Sequence, residues 1–200
     1  MPLDHYLPHF DFREIHSRRV AAEPADVLTA ARTVTPLEVP LLVALMALRA
    51  GPRLGRLSLR RPIVGQFERA GFVQLAANER ELVYGGVGRF WTLGGGLTRT
   101  SPDAFAGFDS PGYAKTVFDF RVERPARGGV VLVTETRIAG TDGHARRSFG
   151  RYWRLIQPGS ALIRLAWLRA IAKRAERTKL SQPASSPSAP SSRSTSSSVV

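Results

Sequence analysis

The C-terminal part of the chain, residues 130–177, constrains the fold most. It reads as an aliphatic strand over residues 130–138, a polar turn over residues 140–143, and then a long basic helical segment. In that segment, large apolar residues recur at i, i+3, i+4 and i+7, a spacing that places them on one face of a helix. These residues are Phe149, Tyr152, Trp153 and Ile156. A helix with such a face needs a broad apolar surface on which to lie.

Pro158 and Gly159 interrupt this pattern, and their presence predicts a break in the helix. A second helix is expected after the break, because Ile163, Ala166 and Trp167 repeat the same spacing. The opposing surface must come from the residues that precede position 138.

Those preceding residues predict a mixed set of elements. A strand over residues 10–22 precedes three helical segments, which are 25–33, 36–49 and 63–70. Turn signals rich in Gly and Pro then separate several short strands. The strands are 72–76, 81–84, 87–92, 113–123 and 130–138. Close sequential strands favour an antiparallel sheet, so the predicted fold class is α+β.

The predicted domain organisation has three parts. Residues 1–9 are expected to form a loose leader, and residues 10–178 a single domain. Residues 179–200 are expected to be disordered, because a Ser- and Pro-rich segment cannot bury enough apolar surface to offset its ordering entropy. The chain contains no cysteine, and no signal-peptide or membrane-spanning pattern stands out. These features predict a cytoplasmic protein without disulfides.

The net charge of +13 is unevenly placed. Residues 144–179 carry ten basic side chains against Glu176 alone among acidic ones. A basic helix face fits an anionic membrane surface or an acidic partner, and the alternative is a solvated face without a partner. No nucleic acid is expected, because no recognition motif accompanies the charge. The sequence does not specify an oligomeric state.

Four short motifs carry a resemblance to a known family. A strand runs into a Glu-Pro-Ala-Asp helix start over residues 20–27, and the other three motifs are 88–91, 134–137 and 147–153. In these motifs the chain resembles the SRPBCC superfamily of START and Bet v 1-like proteins. More closely, it is similar to bacterial SRPBCC-type proteins of uncharacterised function.

This resemblance implies a helix-grip fold, in which a curved antiparallel sheet wraps around a long C-terminal helix and two short helices follow the first strand. It also implies an internal cavity for a small apolar or amphipathic molecule. Two features depart from the family pattern: a longer second helix, and the Pro158-Gly159 break.

Glu135 and Arg137 are candidate ligand-orienting residues, because residues two apart in a strand share a face. On the inner face they would be a buried pair inside the cavity, and on the outer face a solvated pair of little energetic value. Arg89 and Trp91 share a strand face by the same argument, with an arginine lying along a core tryptophan as the alternative. Trp153 is expected to line the cavity.

Glu14 and His16 also share a face of the first strand. If that face lines the cavity, His16 could act as a general base; otherwise it is an ordinary surface histidine. Asp119, Arg121 and Glu123 alternate with apolar residues and are expected to face solvent.

Several kinds of site are excluded by the sequence. The histidines do not have zinc-ligand spacing, and Gly85-Gly86-Val87-Gly88 precedes a strand rather than the helix that a dinucleotide site requires. No phosphate loop or nucleophile elbow is present, and no metal or cofactor is expected.

Three functions remain open on the sequence. The favoured one is the binding of a small hydrophobic or amphipathic molecule. The second is an enzyme of the polyketide cyclase or dehydrase type, with Glu135, Arg137 or His16 assisting proton transfer. The third is a peripheral protein that uses the basic C-terminal helix to bind acidic partners or to make weak contact with anionic membranes.

Overall fold

The computed structural model describes residues 2–50, 57–92 and 96–181, which form an α+β fold of the helix-grip type. The helices are α1 (Pro2–Tyr6), α2 (Pro24–Thr33), α3 (Pro40–Ala50), α4 (Ile63–Ala70), α5 (Pro102–Gly107) and α6 (Gly143–Ser181). The strands are β1 (Phe12–Val20), β2 (Val73–Ala77), β3 (Glu81–Gly88), β4 (Leu97–Thr98), β5 (Ala114–Glu123) and β6 (Val130–Gly140).

The strands form one antiparallel sheet in the order β1-β6-β5-β3-β2, with β4 paired to the end of β3. Strands β3, β5 and β6 follow one another as a meander, while β1 closes the sheet beside β6. The antiparallel prediction is confirmed. The pairing of the first strand with the last places residues more than one hundred positions apart side by side, such as Glu14 opposite Thr136.

The inner face of the sheet packs against α6, and α2, α3 and α4 complete this layer. Trp167 of α6 is 1% exposed and its ring lies 4.9 Å from that of Phe120 on β5. Leu168 and Ile171 are equally buried. The helix is therefore held by the broad apolar surface that its spacing predicted, since burial of large side chains is the main favourable term in folding.

Helix α6 is continuous from Gly143 to Ser181 and includes Pro158. The predicted break at Pro158-Gly159 is wrong. Proline removes one backbone hydrogen bond and crowds the preceding turn, but apolar contacts on both sides of it, from Phe149 and from Trp167, hold the two halves of the helix on the same sheet. Tertiary packing outweighs the local preference.

The outer face of the sheet is covered by α1 and α5. Leu3 and Leu7 are 1% and 5% exposed and pack with Phe105 of α5 against the sheet. The Tyr6 hydroxyl donates a hydrogen bond of 2.9 Å to the carbonyl of Leu75. Residues 2–7 thus form an ordered cover where a loose leader was expected, because their two leucines have an apolar surface to bury.

Strand β3 runs without interruption through Gly85 and Gly86, where a turn was predicted. A Cβ atom on Gly86 would lie 2.8 Å from the ring of Phe72, and one on Gly85 would lie 2.8 Å from the ring of Phe105. The two glycines admit aromatic rings to opposite sides of the strand. Here glycine marks close packing of neighbours rather than a turn.

The predicted helix over residues 36–49 is divided at Val39. A single turn of 3₁₀ helix, Pro36–Glu38, precedes α3. Thr35 and Glu38 form a capping box at this turn, as favoured at helix starts. Of the predicted disordered tail, residues 179–181 continue α6, and residues 182–200 lie outside the described part of the chain.

Candidate ligand-binding site

A cavity of about 350 Å³ lies between the first half of α6 and the inner face of the sheet. Its walls come from α3, α4, β4, β5, β6 and α6, and from Phe72 and Phe90, which lie just before β2 and just after β3. The lining residues are mainly apolar and aromatic: Met46, Phe67, Ala70, Phe72, Phe90, Leu97, Thr116, Thr136, Ile138, Phe149, Tyr152, Trp153 and Ile156. Such a lining suits an apolar molecule.

Helical spacing explains the α6 wall. Phe149 and Trp153 are one turn apart, and their rings stack with centroids 5.8 Å apart. Phe12 of β1 packs against both rings, at 5.2 Å and 6.2 Å. The aromatic stripe that the sequence placed on one helix face thus forms one side of the cavity, with the predicted residue Trp153 in it.

Two threonines supply hydroxyl groups to the opposite wall. Thr116 on β5 and Thr136 on β6 lie in the lining, each 8% exposed. Alternation along β6 turns Thr134 and Thr136 towards α6. It turns Glu135 and Arg137 the other way.

Glu14 and His16 lie together on the inner face of β1. The Nε2 atom of His16 is 2.8 Å from the Oε1 atom of Glu14. The hydroxyl of Ser160, on α6, donates a hydrogen bond of 3.1 Å to the other carboxylate oxygen of Glu14. Glu14, His16 and Ser160 are called the inner polar cluster below, and a carboxylate beside an imidazole is an arrangement capable of proton transfer.

Arg164 adds a charge to the inner layer of the molecule. Its guanidinium lies 4.5 Å from the ring centre of Phe118 and 5.5 Å from that of Trp167. Its Nη1 atom is buried and has no hydrogen-bond partner among the described residues. Burial lowers the pKa of Arg164 to about 10, although the carboxylates of Glu14 and Asp119 act in the opposite direction.

Ser160 and Arg164 were not predicted from the sequence. Their signal is the spacing of Ser160, Arg164, Trp167 and Ile171, which continues the apolar stripe of α6 at i, i+4, i+7 and i+11. The predicted break at Pro158 concealed that stripe. A charged residue on the buried face of a helix is a candidate for function.

Glu135 and Arg137 lie on the outer face of the sheet, away from the cavity. Arg13 and Arg137 each donate from Nε to Oε1 of Glu135, at 2.8 Å and 2.7 Å. Arg137 also donates to the carboxylate of Asp4 on α1, at 2.6 Å. Burial alone would raise the pKa of Glu135, but the hydrogen bonds from Arg13 and Arg137 outweigh it, and the pKa is lowered.

Asp119 also lies on this outer face and is fully buried, although a solvent-facing position was expected. Its carboxylate accepts hydrogen bonds from Arg121, at 2.7 Å, and from the backbone N–H of Glu135, at 2.6 Å. Burial raises the pKa of Asp119, and the Arg121 guanidinium partly counteracts this rise. The alternating pattern correctly placed Asp119 on the face of β5 opposite to that of Phe118. This face is only partly exposed, because α1 and α5 shield part of it from water.

Arg89 and Trp91 follow the end of β3 at Gly88, so they do not share a strand. The guanidinium of Arg89 is exposed and lies 4.7 Å from the ring centre of Tyr113. Trp91 is half-buried, with its ring 6.5 Å from that of Phe149 behind the cavity wall. The structure places Trp91 and Trp153 against the same ring, Phe149, and Glu14 beside His16. Of the predicted site residues, Trp153 alone is in the cavity lining.

A larger depression of about 1110 Å³ lies at the opposite end of the sheet, beside the start of α2. Its rim carries charges of both signs, such as Glu23 and Arg124, whose ion pair of 2.9 Å is about two-thirds exposed. Its charged rim suits an apolar molecule less well than the aromatic lining of the cavity under α6 does.

Within residues 2–50, 57–92 and 96–181, no group of three or more His, Asp or Glu side chains is arranged to hold a metal ion. No helix in them is long and apolar enough to span a membrane.

The fold and the cavity thus define an α+β helix-grip protein with an apolar pocket under its C-terminal helix. No protein-family model matches the chain. No curated protein matches it either.

Among solved structures, a hypothetical protein from Helicobacter pylori is similar over 88% of this chain and 94% of its own, with 9% identity and a TM-score of 0.42. The di-domain ARO/CYC StfQ from the steffimycin biosynthetic pathway is similar over 84% of this chain, with 12% identity and a TM-score of 0.34. The chain spans about half of StfQ, 52% of its length.

Proposed function

We propose that this protein binds a small apolar or amphipathic molecule in the cavity between α6 and the sheet, as an SRPBCC-type helix-grip protein. The observation that carries the proposal is the aromatic cavity of about 350 Å³ with two threonine hydroxyls in its wall. Its volume falls in the usual range for small-molecule sites, about 300–1,000 Å³. The motif resemblance supports the same function.

The lining explains how such a molecule would be held. Rings from Phe67, Phe149 and Trp153 offer apolar area for affinity, while Thr116 and Thr136 offer hydrogen bonds that orient the ligand. Because the floor of the cavity belongs to the central strands β5 and β6, the site is largely formed before the ligand arrives.

A fluorescence titration tests this proposal. Phenylnaphthylamine (NPN), an uncharged apolar dye, should bind the wild-type protein with energy transfer from tryptophan. Thr136→Phe fills the cavity and should weaken NPN binding at least tenfold. Thr178→Phe, the same change at an exposed position of α6, should leave binding unchanged. Equal NPN affinity in the wild type and in a folded Thr136→Phe variant would contradict the proposal.

The inner polar cluster favours a second function, proton transfer on a bound molecule. Glu14 and His16 are 2.8 Å apart on the inner face, which is suitable for a general acid–base pair. A molecule that co-purifies with the protein can be extracted and incubated with it in deuterated water. Deuterium incorporation that is lost in His16→Gln would support this function, whereas incorporation at the uncatalysed rate with wild-type protein would exclude it for that molecule.

A further inference from the structure

Arg164 is a charged side chain in the layer where the structure otherwise packs aromatic rings. It projects from the buried stripe of α6 onto Phe118, which is 2% exposed. Cation–π contact of this kind stabilises a guanidinium but leaves its N–H donors unused. The enclosed Nη1 atom has no acceptor among the described residues.

The charge on Arg164 persists at neutral pH. Burial lowers the pKa of Arg164 only to about 10, so at pH 7 the guanidinium is protonated. Arg164 as a whole is half-buried, but its enclosed Nη1 donor is unfavourable unless an acceptor or an anion meets it. The nearby carboxylate of Glu14 is already engaged by His16 and Ser160.

The sheet register connects Arg164 to the cavity. Thr136 lies opposite Phe118 on one side and opposite Glu14 on the other. Thr136 lines the cavity, Phe118 lies beneath the guanidinium of Arg164, and Glu14 bonds to Ser160. Phe118, Thr136 and Glu14 therefore form one row across β5, β6 and β1. This row connects the cavity wall to Phe118, which Arg164 contacts, and to Glu14, which Ser160 contacts.

Phe67 provides a second connection. It lines the cavity, and its ring also packs against Phe118 and Trp167 at 6.2 Å and 5.6 Å. These are the two rings that flank the guanidinium. Arg164 is therefore connected to the cavity lining through Phe118 and Trp167, which both contact Phe67.

We infer that Arg164 recognises the acidic group of an amphipathic ligand, a carboxylate or sulfonate attached to an apolar body in the cavity. This inference rests on the proposed binding function and names the class of ligand. The apolar body lies among the aromatic rings, and the anionic group passes beside Phe67 to accept a hydrogen bond from Nη1. Charge-assisted hydrogen bonds are stronger than hydrogen bonds between neutral groups. The single negative charge of a carboxylate or sulfonate balances the single positive charge of the guanidinium.

Two dyes that differ only in charge test the inference. Anilinonaphthalene sulfonate (ANS) is NPN with a sulfonate added. Both are titrated into wild-type protein and into Arg164→Met, which keeps an unbranched apolar stem but removes the guanidinium and its charge. The ratio of the ANS to the NPN dissociation constant should rise about tenfold or more in Arg164→Met, as expected for the loss of a hydrogen bond to a charged group.

Arg154→Met is the matched control. Arg154 is exposed on the same helix, so its removal reports the general attraction of ANS to a basic protein. The ratio should stay within about twofold of wild type. A ratio that is unchanged in folded Arg164→Met, or that changes equally in Arg154→Met, overturns the role of Arg164. If NPN itself does not bind wild-type protein, the proposed binding function fails and this inference fails with it.

A measurement on wild-type protein covers the case in which Arg164→Met does not fold. With nitrogen-15-labelled arginine, the Nε–H resonance of Arg164 is assigned by its disappearance in Arg164→Lys. Saturating ANS should shift this resonance and NPN should shift it much less. No shift with bound ANS, or the same shift with both dyes, overturns the inference.

Discussion

Glu135 and Asp119 are two carboxylates on one face of the sheet, and their surroundings drive their pKa values in opposite directions. Hydrogen bonds from Arg13 and Arg137 lower the pKa of Glu135 against the effect of burial, whereas burial dominates at Asp119 and raises its pKa. The sequence placed Glu135 and Arg137 correctly on a shared face. It could not show which face, because that depends on the pairing of β6 with β1 and β5 and on the cover formed by α1.

Glu135→Gln should destabilise the protein in a pH-dependent way. A lowered pKa in the folded state means that ionised Glu135 contributes stability above its unfolded pKa, about 4.3. This contribution is lost as the pH falls through the folded pKa. We expect the free energy of unfolding at pH 7 to fall by about 3 kcal/mol, as for other broken buried pairs, and the difference from wild type to shrink below about pH 4.

Urea denaturation at neutral and at acidic pH measures the difference in unfolding free energy between wild type and Glu135→Gln. Glu123→Gln is the control, since Glu123 pairs with Arg121 but its side chain is 51% exposed, and it should change the unfolding free energy by less than about 1 kcal/mol. An effect of Glu135→Gln as small as that of Glu123→Gln would show that the ion pairs of Glu135 with Arg13 and Arg137 contribute no net stability.

At the scale of elements, α6 shows where sequence reasoning succeeds and where it stops. The 3.6-residue periodicity identified both apolar stripes, with Trp153 in one and Trp167 in the other. Proline has a strong local preference against helix interiors, and that preference predicted two helices. The sheet that holds both stripes is assembled from distant parts of the chain, so its effect on Pro158 is not visible in a local window.

Pro158→Ala should therefore stabilise the protein. Pro158 lies inside α6 and is exposed, so alanine restores a backbone hydrogen bond without altering the core. Proline in a helix interior costs up to about 3 kcal/mol relative to alanine, and we expect a gain of about 1–3 kcal/mol in urea denaturation. Gln157→Ala, at the neighbouring exposed position, should change stability by less than about 0.5 kcal/mol. A loss of stability in Pro158→Ala would mean that the proline shapes the helix for packing.

The two tryptophans of α6 should differ in their contribution. Trp167 is 1% exposed in the main core, whereas Trp153 is half-buried at the cavity. We expect Trp167→Ala to lower the free energy of unfolding by about 3–5 kcal/mol, as for large core truncations, and Trp153→Ala by less than half of that. Chemical denaturation followed by circular dichroism compares them. Equal losses would contradict the division of α6 into a core half and a cavity half.

At the scale of the whole molecule, the sheet separates two environments of different chemistry. Its inner face carries the cavity and the inner polar cluster, and its outer face carries the ion-pair network under α1. The fold class and the two apolar stripes of the C-terminal helical segment were predictable, because they follow from periodicity and element order. The sequence could not show that Glu14 and His16 lie on the inner face while Glu135 and Arg137 lie on the outer face. The faces of β1 and β6 are aligned only by the register of their pairing.

The outward side of α6 is the third surface of the molecule. Arg147, Arg151 and Arg154 are exposed there, and so are Leu155 and Leu162, at 80% and 53%. Helical spacing puts these residues on one stripe. Basic side chains beside exposed leucines match the composition of surfaces that lie on anionic membranes.

We expect the protein to bind phosphatidylserine vesicles at low salt and to lose this binding in high salt, because the attraction between exposed charges is screened. Replacing the three arginines of the stripe, Arg147, Arg151 and Arg154, by glutamine should weaken binding by at least tenfold, given roughly 1 kcal/mol for each basic residue at the surface. Co-sedimentation with vesicles measures the bound fraction.

The matched control removes the same charge elsewhere. Arg80, Arg124 and Arg127 are exposed at the far end of the sheet, and their replacement by glutamine lowers the net charge by the same three units. If the stripe binds the membrane, this second triple variant should keep most of the wild-type affinity. If both variants lose affinity equally, the interaction depends on the overall charge of +13 and not on the surface of α6.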